Sequence, residues 1–246
     1  MEIYIYSLGS VILVSLISLI GAFTISIRED LLKKYVFVLV ALAVGALLGD
    51  VFLHLLPEAY AEFENKNLVS IFIIVGILIF FIFEKFLHWH HHDHDCKNPH
   101  PVGKMILFSD GIHNFIDGLI IGASYLVSIE IGIATTLAII LHEIPQEIGD
   151  FGVLIHSGYT KTKALLYNFI SALFSIVGVL FVFTISKYIE NITTFLIPIA
   201  SGGFVYIALS DLVPELQKSN KTSQSILQLV SIAVGVGSMA LLLFLE

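Results

Sequence analysis

Between Lys104 and Lys161 the chain has neither a lysine nor an arginine, yet this stretch holds His113, Asp117, His142, Glu143 and Glu147 among apolar neighbours. Carboxylates in hydrocarbon are costly and are normally paired with something positive. The protein supplies no cation here, so the partner comes from outside, as a proton or a metal ion. Charge is scarce throughout. Only 13% of the 246 residues are Asp, Glu, Lys or Arg, about half the ~25% of a soluble domain. There is one cysteine, Cys96, which excludes an intramolecular disulfide and any stapled ectodomain. Twelve basic residues against 20 acidic ones leave no basic surface for nucleic acid. Met1-Glu2 provides no basic n-region, and the apolar run behind it is too long for a signal-peptide core. What is abundant is hydrophobic residues, at 57%. The expected class is an all-α polytopic membrane protein, a single transmembrane domain over residues 1–246 with the lipid bilayer as its surroundings.

A membrane span takes ~20 mostly apolar residues. Eight are expected, at 3–27, 35–57, 68–83, 105–129, 131–155, 164–186, 192–214 and 226–245. If the N-terminus lies outside, ten of the 12 basic residues fall in inner loops and only Lys66 and Lys187 in outer ones. Basic residues concentrate in cytoplasmic loops, so both termini are expected to face out, in the cell (plasma or inner) membrane. Two segments echo each other. Gly45 to Glu58 ends Leu-His-Leu-Leu-Pro-Glu, and Gly202 to Glu215 ends Ser-Asp-Leu-Val-Pro-Glu, at the same spacing. Spans two and seven run in opposite directions, so the copies are inverted, a common plan for transporters.

Positions three and four apart on a helix share a face. In span four, Asp110, His113, Asn114 and Asp117 fall within about 100° of arc at ~100° per residue. In span five, His142, Glu143, Gln146, Glu147 and Asp150 fall within about 140°. The other faces are Ile, Leu, Val, Phe and Ala, and the two polar stripes are expected to face each other near mid-membrane. Pro145 has no N–H, which leaves the carbonyl of Leu141 free beside the histidines. Imidazole with carboxylate suits borderline divalent ions such as Zn2+, Fe2+, Mn2+ or Cd2+. The mix of His, Asp, Asn and Gln suits an ion that has to leave better than four thiolates would. Asp50, His54 and Asp211 are weaker candidates for the approaches, and His156 for the exit. Asn168 and Ser171 in span six read equally well as packing polars or as ligands.

The loop 88–104 between spans three and four carries six histidines and Cys96 within residues 88–100. Such a tract binds soft or borderline metals without fixed geometry. It is expected to be a cytoplasmic buffer or sensor, outside the conduction path.

These residues resemble the ZIP (Zrt/Irt-like) family of divalent metal transporters. His113-Asn114-Phe115-Ile116-Asp117-Gly118 is similar to that family's fourth-helix motif, and His142-Glu143-Ile144-Pro145-Gln146-Glu147-Ile148-Gly149-Asp150 to its fifth-helix motif. Gly49-Asp50 with His54-Leu55-Leu56-Pro57 in span two extends the match, which covers essentially the whole chain. The resemblance implies eight helices in a 3+2+3 inverted repeat and import of Zn2+ or a related ion, with the metal as transported substrate and no prosthetic group. It implies a main site of His113, Asp117, His142 and Gln146, and a neighbouring one of Asn114 and Glu143 sharing Asp117. It also implies an elevator in which spans one, four, five and six move against two, three, seven and eight, commonly in a homodimer. Gln146 departs from the family's His or Glu. A neutral amide is a weaker ligand and cannot bridge two metals as a carboxylate does.

Three other classes compete. His142-Glu143 begins the His-Glu-x-x-His motif of an intramembrane metallohydrolase, but Gln146 replaces its second histidine and Pro145 interrupts the face. A non-transporting membrane metal sensor fits the histidine-rich loop but has no signalling domain. A proton channel or an exporter would use the same carboxylates. The expectation is a transporter and not an enzyme.

Overall fold

The computed structural model describes residues 2–24, 29–89, 100–189, 191–217 and 222–244. Among them all regular structure is helical. The helices run as α1 (Glu2–Ile20), α2 (Glu29–Asp50, continued by Val51–Leu55 and Leu56–Glu62), α3 (Lys66–Trp89) and α4 (His100–Val127). They continue as α5 (Ile129–His156), α6 (Lys161–Ile185), α7 (Ile192–Gln217) and α8 (Thr222–Leu242). Local chemistry sets the breaks. Ser128 is extended and its hydroxyl accepts from the Ile131 amide at 3.1 Å, which caps α5. Gly158 turns the chain between α5 and α6 at φ 86°, a conformation that glycine adopts at no steric cost.

Six of these helices are long and apolar enough to cross a membrane: Glu2–Ile20, Phe37–Glu62, Ile106–Val127, Lys161–Ile185, Ile192–Gln217 and Thr222–Leu242. The apolar part of α3, Lys66–Ile82, is shorter. α5 has 28 residues, but its own His, Glu, Gln and Asp residues lower its hydropathy. The molecule is apolar outside, and it buries a set of polar side chains within its apolar core. Ile5, Leu13, Phe108, Leu229 and Leu241 are each about half exposed or more, while Asp50, Asn114, Asp117 and His142 are fully or almost fully buried. That inversion suits lipid as solvent.

The expected end of span two at Pro57 is not where α2 stops. The helix continues to Glu62 by widening to a π-helical turn over Val51–Leu55, just before the proline. α7 does the same over Ile207–Leu212, just before Pro214. A proline offers no N–H to the carbonyl four residues back and its ring crowds that carbonyl. A wider turn absorbs both problems without breaking the helix. In each case the bond closes five residues back, from Leu56 N–H to the Val51 carbonyl and from Val213 N–H to the Ala208 carbonyl.

The helices associate as two groups. α1, α4, α5 and α6 pack on one another, as do α2, α3, α7 and α8, and the groups meet through α5 on α2 and α4 on α7. Within the first group, Ser15 Oγ donates to the Ala172 carbonyl at 3.0 Å, joining α1 to α6. In the second, His54 Nε2 lies 3.0 Å from the Met239 carbonyl and donates to it, joining α2 to α8. Glycines allow the closest approaches. A Cβ on Gly45 would sit 2.1 Å from the Ile232 carbonyl oxygen, and one on Gly202 would sit 2.1 Å from that of Ile73. The reciprocal contacts are Gly235 on Leu42 and Gly76 on Ile199. The pairs α2–α8 and α3–α7 are therefore built alike.

Candidate metal centre

α4 and α5 turn their polar stripes towards each other. His113 and Asp117, one turn apart on α4, meet His142 and Glu143 on α5. The Nε2 atoms of the two histidines are 3.3 Å apart. His142 Nε2 lies 3.3 Å from Asp117 Oδ2 and 3.5 Å from Glu143 Oε1. His113 Nε2 lies 3.3 Å from the same glutamate oxygen and 3.7 Å from the same aspartate oxygen. Ligands bound to Zn2+ at ~2.0–2.1 Å in a tetrahedron are ~3.3–3.4 Å from each other. The four atoms already stand close to that spacing.

Their surroundings suit a cation. Asp117 and Glu143 are at most 1% exposed, and none of their four carboxylate oxygens accepts a hydrogen bond from a described residue. Leaving buried carboxylate oxygens without donors is expensive unless a charge arrives to satisfy them. His142 Nδ1 lies 3.2 Å from the Ala138 carbonyl. A carbonyl can only accept, so Nδ1 carries the proton and Nε2 turns its lone pair to the cluster, the usual arrangement behind a metal-ligating histidine. Phe204 of α7 lies edge-on to the His142 ring at 6.1 Å and walls the centre from the second helix group.

The other expected ligands divide. Asn114 is fully buried, but its Nδ2 donates to Asp110 Oδ1 at 2.8 Å and its Oδ1 has no partner. Glu147 is 1% exposed, takes a hydrogen bond from Asn168 Nδ2, and keeps Oε1 without a donor. Gln146 is half-buried, and no hydrogen bond of the centre involves it among the described residues. Glu143, expected in the neighbouring site, joins His113, Asp117 and His142 in a group of four. Its long side chain reaches the histidines from the neighbouring 100° of the helix. Pro145 does not interrupt α5, which stays helical from Ile129 to His156.

Residues with ambiguous sequence signals now have partners. Asn168 serves Glu147, and Ser171 Oγ donates to the Asp110 carboxylate. Their spacing of three in the apolar middle of α6 was the available signal. Asp50 accepts from Thr135 Oγ1 of α5 at 3.4 Å, and His54 is occupied with α8. Residues 90–99, with most of the histidine-rich tract, lie outside the described residues, as do the side chains of His156 and Asp211.

Comparison with known proteins agrees with this chemistry. The profile of the family described as ZIP Zinc transporter matches residues 1–104 and 90–243. Zinc transporter ZIP13 of Pongo abelii is 36% identical over 219 residues, which cover 82% of this chain and 65% of that protein. ZIP13 of Mus musculus is 33% identical over 253 residues, covering 85% and 70%. Zinc transporter zipt-7.1 of Caenorhabditis briggsae is 29% identical over 316 residues, covering 100% and 80%. The chain thus spans a little under two thirds of the first of these relatives and more of the other two. From the profile match over nearly its whole length, and from these relatives, this multi-pass membrane protein belongs to the ZIP zinc transporter family.

Proposed function

We propose that the chain carries divalent metal ions, Zn2+ foremost, across the membrane and into the cytoplasm through the centre between α4 and α5. The carrying observation is the convergence of His113, Asp117, His142 and Glu143, two imidazoles and two donor-free carboxylates at the spacing of a tetrahedral site. Asn114, Gln146 and Glu147 are the neighbouring ligands on the ion's route. Mixed nitrogen and oxygen ligands select borderline ions, so Fe2+, Mn2+ and Cd2+ are the competitors.

In this reading all eight helices span, both termini face out, and α1–α3 and α6–α8 are inverted copies around α4 and α5. The matched π turns before Pro57 and Pro214, and the matched glycine contacts of α2–α8 and α3–α7, support the repeat. The group α1, α4, α5 and α6 moves as an elevator against the other four. The protein resides in the plasma or inner membrane as a homodimer. Residues 88–104 form the cytoplasmic metal buffer. The hydrolase reading has less support, since Gln146 stands where that motif has its second metal-binding histidine.

The test is radioactive Zn2+ uptake into proteoliposomes, with Asp117→Ala and His142→Ala beside the unaltered protein. Saturable uptake lost in both variants supports transport through this centre. Zn2+ that binds without crossing would replace the transporter by a sensor.

A further inference from the structure

Where α4 and α6 begin, the bundle opens a cavity of about 460 Å3, within the ~300–1,000 Å3 of small-molecule sites. Lys104 and Leu107 of α4, Tyr159 and Thr160 of the turn between α5 and α6, and Lys163 and Tyr167 of α6 line it. Tight contact between the helix ends shapes it. A Cβ on Gly103 would sit 2.5 Å from the Tyr159 ring, and Tyr159 meets Tyr167 edge to face at 5.8 Å. Both lysines are exposed, and neither forms an ion pair with a described residue. Their neighbours in the chain offer no counter-charge, since residues 96–109 and 151–189 contain no Asp or Glu. Two like charges that share one cavity repel each other, and an anion between them reverses that cost.

The surface beside the cavity selects the anion. Phe108 stands one turn along α4 from Lys104, and Leu166 and Ile170 stand one and two turns along α6 from Lys163; all three are exposed apolar side chains. In a multi-pass membrane protein such side chains face acyl chains. The lysines therefore sit at the depth of the lipid headgroups, where tyrosine also collects. We propose that the cavity holds the phosphate headgroup of an anionic phospholipid. Lys104 and Lys163 take the phosphate, the two tyrosines lie against the glycerol and ester region, and the acyl chains run along Phe108, Leu166 and Ile170. Basic pockets between transmembrane helices on the cytoplasmic side bind such headgroups. The choice of leaflet rests on the orientation in the proposed function, whereas the binding itself does not. The lining residues all belong to the group α1, α4, α5 and α6 or to its α5–α6 turn, so the lipid stays with that group and ties the start of α4 to the start of α6.

The test titrates phosphatidylglycerol into delipidated full-length protein in neutral detergent and counts bound lipid by native mass spectrometry. Phosphatidylcholine with the same acyl chains is the neutral comparison. The unaltered protein is expected to hold one phosphatidylglycerol about tenfold or more tightly than phosphatidylcholine. Lys104→Ala and Lys163→Ala are each expected to weaken that lipid about fivefold, and the double variant about thirtyfold. Lys187→Ala, beyond the opposite end of α6, is expected to leave it unchanged. Unfolding midpoints equal to that of the unaltered protein show that the variants are folded. Phosphatidylglycerol binding that survives the double variant, or no preference over phosphatidylcholine, would overturn the site. Inorganic phosphate that displaces the lipid at equal concentration would assign the cavity to a soluble anion and overturn the lipid. No Zn2+ enters this measurement, so lost Zn2+ uptake in proteoliposomes would remove the proposed function and leave the lipid site standing.

Discussion

Thr135 of α5 donates to Asp50 of α2 at 3.4 Å, a hydrogen bond that crosses between the two helix groups, and both residues are fully buried. Thr135→Val keeps the shape and leaves the aspartate without this donor. The bond is long, so the expected loss is about 1 kcal/mol, a fall of about 2–4 °C in the unfolding midpoint in detergent for a chain of this size. In the proposed elevator, sliding of one group past the other would break this bond, so Zn2+ uptake by Thr135→Val is expected to stay at or above the normal rate. Lost uptake with an unchanged midpoint would place Thr135 on the ion path instead.

Gly45 and Gly202 occupy matching places in α2 and α7. Alanine at either puts a Cβ 2.1 Å from a neighbouring carbonyl oxygen, and the helix pair has to separate. Each substitution is expected to destabilise by about 1–3 kcal/mol. Thermal unfolding of both variants is the check, and the two losses are expected to be similar. A large effect at one position with none at the other would contradict the equivalence of the two helix pairs.

His142 brings one of the four converging atoms of the proposed centre, with its tautomer set by the Ala138 carbonyl. His142→Ala is expected to weaken Zn2+ binding by about tenfold or more, read by calorimetry on purified protein. Asp117→Asn removes charge but little volume and is expected to lower Zn2+ affinity in the same direction. Unchanged Zn2+ affinity in both would remove this cluster as the binding centre.

Gln146→His adds an imidazole one turn from His142 on the same helix. Tighter Zn2+ binding, by about tenfold, and slower turnover in uptake are expected together, because an ion held by more nitrogen leaves more slowly. Faster turnover at unchanged affinity would count against a role for this position beside the site.

Much of this was legible in the chain because lipid enforces simple patterns. Apolar length marked where helices run, but several helices overrun the expected spans by five or six residues: α2 starts at Glu29 rather than 35 and ends at Glu62 rather than 57, α3 ends at Trp89 rather than 83, and α4 starts at His100 rather than 105. At Pro57 the reason is that a proline followed by helix-forming residues reads as a stop. The π turn that carries α2 through Pro57 depends on the neighbours that hold it. The stripe on α4 and the stripe on α5 were likewise visible as periodicity.

Partners were not. Asn168 and Ser171 show the same spacing whether they pack or serve a site. Asn168 finds Glu147 across the α6–α5 contact, and Ser171 finds Asp110 across the α6–α4 contact, where Gly118 and Gly178 permit the close approach. Glu143 joins the histidines in the four-residue group because side-chain reach, not helical angle alone, selects who meets across an interface. The sequence by itself determined the helical class, the polar stripes and the lack of a lysine or arginine beside them, since these follow from local periodicity and composition. Only the tertiary structure decided which oxygens converge and which remain without donors, because that is a property of distances between helices far apart in the chain.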